Sequence, residues 1–134
     1  MDCIFCKIVA GEIPATKIYE DENILAFLDI APVNPGHTLV IPKPHYANFM
    51  ELPEEESAVI IRTIKKLAAG VIKGTGAEGF NLTLNNGTVA GQVVGHVHWH
   101  IVPRFPDDGR VLWPGQVYQE GEAAAIAEKI KQQL

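Results

Sequence analysis

Three of the chain's five histidines stand at alternate positions, His96, His98 and His100, in the stretch HVHWH. Side chains of an extended chain alternate between its faces, so these imidazoles share one face, spaced roughly 6 to 7 Å apart. Val97, Trp99 and Ile101 share the other face and can cover a core. Imidazoles in a row are costly to bury unless each has a partner. They titrate near neutral pH, which suits proton transfer, nucleophilic attack or metal binding. A partly exposed polar sheet face would be the ordinary explanation for one strand histidine; strict alternation backed by an apolar face argues against it. A metal held by these three alone fits poorly, because neighbours on one strand do not wrap a tetrahedral ion. Covalent catalysis is the third reading. A histidine nitrogen attacks phosphorus, its other nitrogen is held, and a flanking histidine donates to a phosphate oxygen or the leaving group.

Other chemistry-bearing residues flank this row. Cys3 and Cys6 form a C-x-x-C, which is half of a zinc site, a redox dithiol or two buried small residues; nothing around it has a thioredoxin-like context. NNGTVAGQ, just before the histidines, has glycines that let backbone approach a ligand and amides that can cradle phosphate, and by itself also reads as a hairpin connection. The carboxylate of Asp29 is a good acceptor for a vicinal diol, or an ordinary turn aspartate.

The elements that must position these groups are legible in outline. The chain has 134 residues, 47% hydrophobic and 20% charged, an ordinary globular composition that suits one domain. A formal net charge of -5 argues against charge-driven binding to nucleic acid or an anionic membrane. No apolar run approaches the roughly 20 residues of a membrane span, and MDCIFCKIVAGEIP does not read as a secretory signal, so a cytoplasmic location is expected. DCIFCKIVAGEIP predicts a short helix closed by Gly11. TKIYEDENILAFLDI predicts two strands around a turn at residues 20–23, and HTLVIPK a buried strand. LPEEESAVIIRTIKKLAAGVIKGTG predicts the long helix, with Ile60, Ile64, Leu67 and Val71 at helical spacing and Gly74 as its end. GFNLTLNNG predicts a strand, residues 96–102 another, and EGEAAAIAEKIKQQL a terminal helix. Strands broken by one long helix predict an α+β fold with a mainly antiparallel sheet.

HVHWHIV, an H-x-H-x-H followed by two apolar residues, resembles the signature of the histidine triad superfamily. IFCKIVAGEIPATKIYED, AFLDIAPVNPGHTLVIPKPH and NNG…AGQ extend the likeness over most of the chain, toward bacterial or archaeal members with an N-terminal C-x-x-C. The resemblance implies a five-stranded sheet with one long helix and short terminal helices, joined to a second sheet across a homodimer. It implies a single domain over 1–134, with a core at 3–105 and a helical tail at 106–134. The implied activity is hydrolysis or transfer at the α-phosphate of an adenosine or other purine nucleotide, such as a phosphoramidate, through a covalent nucleotidyl-histidine. A slow or idle nucleotide-binding adaptor and a dinucleoside polyphosphate hydrolase are the alternatives.

By the same resemblance His98 is the nucleophile, His100 the phosphate-side donor and His37 a fourth histidine near the leaving group. The His96 carbonyl holds the Nδ1–H of the nucleophile. Asp29 meets ribose hydroxyls, and Phe5, Ile8, Phe27, Leu28 and Ile30 form the base slot. Asn85, Gly91 and Gln92 belong to the phosphate loop. Cys3, Cys6, His45 and His96 are implied ligands of a structural zinc, with no organic cofactor. The partners implied are a small AMP- or ADP-type nucleotide and a second copy of the chain. Val93 departs from the pattern, standing where many members carry Ser or Thr. Trp113-Pro114-Gly115 is similar to the C-terminal end of the phosphoramidase branch, where the tail helps shape the partner's site.

Overall fold

The structure is a computed structural model describing residues 2–134. Its elements are α1 (Ile4–Val9), β1 (Lys17–Glu20), β2 (Ile24–Leu28), β3 (Thr38–Pro42), α2 (Glu54–Thr75), β4 (Gly79–Leu84), β5 (Trp99–Arg104) and α3 (Glu122–Lys131). The strands form one five-stranded sheet in the order β1-β2-β3-β5-β4, every neighbouring pair antiparallel. The expected α+β architecture is therefore present. No helix among the described residues is long and apolar enough to cross a membrane.

Each face of the sheet has its own apolar cluster. On one, Ile60, Ile64, Leu67, Ala68 and Val71 of α2 pack against Ile24, Ala26, Val40, Val97, Trp99 and Ile101. Burying each large aliphatic side chain contributes about 2 kcal/mol. On the other, Phe5 and Ile8 of α1 pack against Leu25, Phe27, Leu39 and Ile41. The period of two thus sends Trp99 and Ile101 toward α2 and leaves His100 on the opposite face of β5.

Several boundaries differ from the sequence expectation. The long helix does not stop at Gly74. Thr75 Oγ1 donates to the Val71 carbonyl at 2.7 Å, and the left-handed cap falls on Gly76, φ 74°, whose N–H reaches Ile72 O at 2.9 Å. The histidine strand was expected over 96–102, but β5 starts at Trp99 and runs to Arg104. Its partner β3 ends at Pro42, and Pro44 follows; prolines supply no ladder donor. Residues 96–98 instead run beside the segment after β3, with Val97 N–H on Tyr46 O at 2.8 Å. The tail contains its expected helix, yet α3 buries no residue, and Trp113 is 87% exposed.

The turn between β2 and β3 is seated on the end of α2. Gly36 sits at φ +95°, and a Cβ there would lie 2.5 Å from Thr75 Cγ2. Gly36→Ala is expected to lower stability by roughly 1–3 kcal/mol, from backbone strain and displacement of Thr75. Urea unfolding checks this, and an unchanged midpoint would contradict the packing.

Candidate active site

His96, His98 and His100 all lie on the α1 side of the sheet, and the partners of their ring nitrogens fix each tautomer. His98 Nδ1 lies 2.7 Å from the backbone carbonyl of His96. A carbonyl can only accept, so Nδ1 carries the proton and Nε2 keeps its lone pair. His98 lines a cavity of about 400 Å³ beside the sheet, and Phe5 meets its ring edge-on at 5.2 Å between centroids. This is the arrangement required of a nitrogen nucleophile.

His37 and His100 form a second, directional pair. The Val33 N–H donates to His37 Nδ1 at 3.0 Å. His37 Nδ1 is therefore the acceptor, and the ring's proton sits on Nε2. That Nε2 lies 2.9 Å from His100 Nδ1 and donates to it. His100 in turn carries its proton on Nε2, available to a ligand in the cavity that His100 lines. Asp29 Oδ2 stands 3.7 Å from His37 Nε2, while its Oδ1 accepts from Ala31 N–H at 2.9 Å.

Burial keeps these rings neutral. It pushes His100 down to about 4, helped by the neighbouring His98 and His37 and opposed by Asp29. His37 is lowered for the same reason, again against Asp29. His96 is lowered by burial although its bond to Pro42 O favours the charged form.

The cavity holds most of the expected binding residues. Phe5, Ile8, Phe27 and Ile30 line it together with Asp29, Asn85, Gly91 and Val93. Ile30 and Val93 stand at its lip, 99% and 93% exposed, so Val93 presents a methyl surface where a hydroxyl was the alternative. Gly91 at φ +91° brings its backbone under Asn85, whose Nδ2 a Cβ would meet at 3.4 Å. Two expected residues are elsewhere. Leu28 alternates with Phe27 onto the opposite face and lines a separate cavity against α2. Gln92 turns its amide inward, donating to Ala47 O at 2.6 Å and Val94 O at 3.0 Å and accepting from Gly87 N–H at 2.9 Å. It braces the loop and does not line the cavity. Ile4, Ile13, Leu39 and Val94 also line the cavity and were not foreseen. Leu39 was within reach of sequence reasoning, since alternation in HTLVIPK puts it on the same face as His37.

His96 has a separate role. It is fully buried, and its Nε2–H donates to Pro42 O at 2.8 Å, which leaves the Nδ1 lone pair facing the cysteines. His96 Nδ1 lies 3.5 Å from Cys3 Sγ and 3.6 Å from Cys6 Sγ, and His45 Nδ1 lies 3.3 Å from Cys6 Sγ. The four ligand atoms all fall within 4.8 Å of one another. Tetrahedral zinc with ordinary Zn–S and Zn–N bonds would set S and N about 3.6 Å apart. The donor set and spacing thus fit zinc, with Pro42 O orienting one ligand from behind. Burial first, then the adjacent Cys3, pushes the Cys6 thiol up; a divalent cation would reverse that balance and favour thiolate.

The depressed histidines fix a pH trend. Above about pH 6.5 they are neutral both folded and unfolded. Below it the unfolded chain takes up protons that His100 refuses until about pH 4. Stability is therefore expected to fall as pH drops through this window. Urea midpoints at successive pH values check this, and His100→Asn should flatten the slope.

Comparison with known proteins agrees with this geometry. The HIT domain family matches residues 10–107. An adenosine 5'-monophosphoramidase of Schizosaccharomyces pombe is 45% identical over 137 aligned residues, covering 100% of this chain and 99% of that protein. A crystal structure of a HIT family member from Bacillus subtilis superposes with a TM-score of 0.91 at 40% identity, covering 100% and 98% of the two chains. A Zn-bound histidine triad family protein from Mycobacterium smegmatis superposes with a TM-score of 0.79 at 39% identity, covering 98% of each.

Proposed function

The chain belongs to the histidine triad (HIT) family, and on that premise we propose that it is a nucleotide hydrolase cleaving at the α-phosphate of adenosine or related purine nucleotides, phosphoramidates among them. The observation that carries the reading is the bond from His98 Nδ1–H to His96 O, which leaves a neutral Nε2 lone pair in a ligand-sized cavity. Relatives point the same way, the Schizosaccharomyces pombe protein being an adenosine 5'-monophosphoramidase.

The base lies in the apolar slot of Phe5, Ile8 and Phe27, and the ribose diol faces Asp29. Asn85 and the backbone at Gly91 meet the phosphate. His98 Nε2 attacks the α-phosphorus; the new N–P bond forms as the bond to the leaving group breaks. The ring becomes cationic, and its Nδ1–H stays on the His96 carbonyl, which spreads that charge. His100 Nε2–H donates to a phosphate oxygen or passes its proton to the departing amine, and the His37 Nε2–H stays on His100 Nδ1, where it stabilises the charge left on that ring until the attacking water returns a proton to it. Water then attacks phosphorus, the N–P bond breaks, and the electron pair returns to His98 Nε2 as AMP leaves and the water proton passes to the His100 side.

Zinc held by Cys3, Cys6, His45 and His96 would supply a structural staple and no open coordination position. It would fix α1 against the segment whose carbonyl holds the nucleophile. We also propose a homodimer, supported by the free edge of β4, where Phe80 and Leu82 are 41% and 43% exposed.

Adenosine phosphoramidate should release AMP with the wild type, and His98→Ala should lose orders of magnitude in rate. Full activity in the variant would refute the mechanism. AMP binding without turnover by the wild type would favour an adaptor, a reading that the missing hydroxyl at Val93 keeps in view. Separately, elemental analysis of protein purified without added metal should give about one zinc per chain, lost in Cys6→Ser. Free thiols with no zinc would overturn the metal site.

A further inference from the structure

The tautomer of the His37–His100 pair hangs on one backbone N–H, that of Val33. Val33 lies in the β2–β3 loop, and the loop is tied down at the next residue. Asn34 is 7% exposed although polar. Its Nδ2 donates to Pro103 O at 2.9 Å and to Asp108 Oδ2 at 3.0 Å, and its own carbonyl accepts the His37 N–H at 3.0 Å. Asp108 is fixed in turn. Arg104 grips it with Nε to Oδ2 at 2.8 Å and Nη2 to Oδ1 at 2.9 Å, and the N–H groups of Phe105 and Arg110 also donate to it. The Arg104 guanidinium, foremost, holds the Asp108 carboxyl far below the usual range. Neither Asn34 nor Asp108 lines the histidine cavity.

We propose that Asn34 and Asp108 are positioning residues for the reaction: the Arg104–Asp108–Asn34 clamp aims the Val33 N–H at His37 Nδ1 and so dictates which nitrogen of His100 presents a proton to the substrate. The chemistry behind this is a two-state choice. A neutral imidazole carries one proton on either nitrogen. With the Val33 N–H in place, Nδ1 of His37 must accept and Nε2 must donate. If the loop shifts, Nδ1 is released, His37 can take the other tautomer, and its Nε2 turns from donor to acceptor. His100 would then have to donate through Nδ1 and present a bare Nε2, which repels a phosphate oxygen and cannot protonate a leaving group. The clamp also joins the start of the tail to the site, because Asp108 lies beyond β5 in a turn where Asp107 takes φ 58°. The kinetic part of this proposal rests on the hydrolase reading; the tautomeric part does not.

The test pairs nitrogen-15 NMR of the histidine rings with steady-state kinetics on adenosine phosphoramidate. Wild type should show His37 protonated at Nε2 with bare Nδ1, and His100 likewise protonated at Nε2. In Asn34→Ala the two rings should move toward mixed tautomers. In the same variant kcat should fall roughly 10- to 100-fold, while KM and AMP affinity stay near wild type because the adenosine slot is untouched. Asp108→Asn, isosteric but lacking the ion pair with Arg104, should show the same change in smaller measure and decides the matter if Asn34→Ala does not fold. A wild-type His37 protonated at Nδ1 would overturn the proposal. So would a fall in kcat with both tautomers intact, or altered tautomers with kcat unchanged. If the wild type releases no AMP at all, the hydrolase reading fails, and the ring spectra alone still decide whether the clamp sets the tautomer.

Discussion

The site depends on a matching rule: each neutral imidazole has one donor and one acceptor nitrogen, and a buried ring must find a partner of opposite kind for each. His98 gives its proton to a carbonyl and keeps a lone pair for the cavity. His96 gives its proton to another carbonyl and keeps a lone pair for the cysteine side. His37 accepts from a backbone N–H and passes a proton onward to His100. The His96 carbonyl and the Val33 N–H are both backbone groups, so side-chain chemistry here is set by main-chain direction. A shift in either segment would reverse a donor and an acceptor, not merely lengthen a bond.

That rule needs rigid backbone, and the fold provides it from two sides. The cluster against α2 fixes β5 through Trp99 and Ile101. The cluster under α1 presses Phe5 against His98, at 5.2 Å, and against His96, at 6.0 Å. The Cys3, Cys6, His45 and His96 group stands where the second cluster meets the strand. Structural fixation and chemistry are thereby divided between two nitrogens and a carbonyl of one residue. His96 can staple with Nδ1, anchor with Nε2–H and orient His98 with its backbone oxygen.

Burial supplies the electrostatics. A histidine in water near neutral pH is divided between charged and neutral forms. Removing His37, His96 and His100 from water favours their neutral form, strongly so at His100. Asp29 works against that trend without overcoming it, so a carboxylate sits beside His37 and His100 without turning them into cations.

The alternation of HVHWH by itself determined that three imidazoles would share a face opposite Val97, Trp99 and Ile101, because a period of two is a local property of extended chain. The helical spacing of Ile60, Ile64, Leu67 and Val71 likewise determined the buried stripe of α2. Local pattern was less able to fix ends: Gly74 and Gly76 are equally glycine, and only the observed cap shows which takes the left-handed conformation. Phe27 and Leu28 were both apolar candidates for the slot, yet adjacent residues on a strand must part company, and the pairing of β2 decided which one entered. Gln92 looked like a ligand contact until the fold gave its amide three internal partners. Least legible was the bond of Asn34 to Asp108, 74 residues away; the meeting of His96 with Cys3, 93 residues away, was reached only through the family resemblance. No periodicity encodes such pairs; they exist only once sheet order and loop closure bring the segments together.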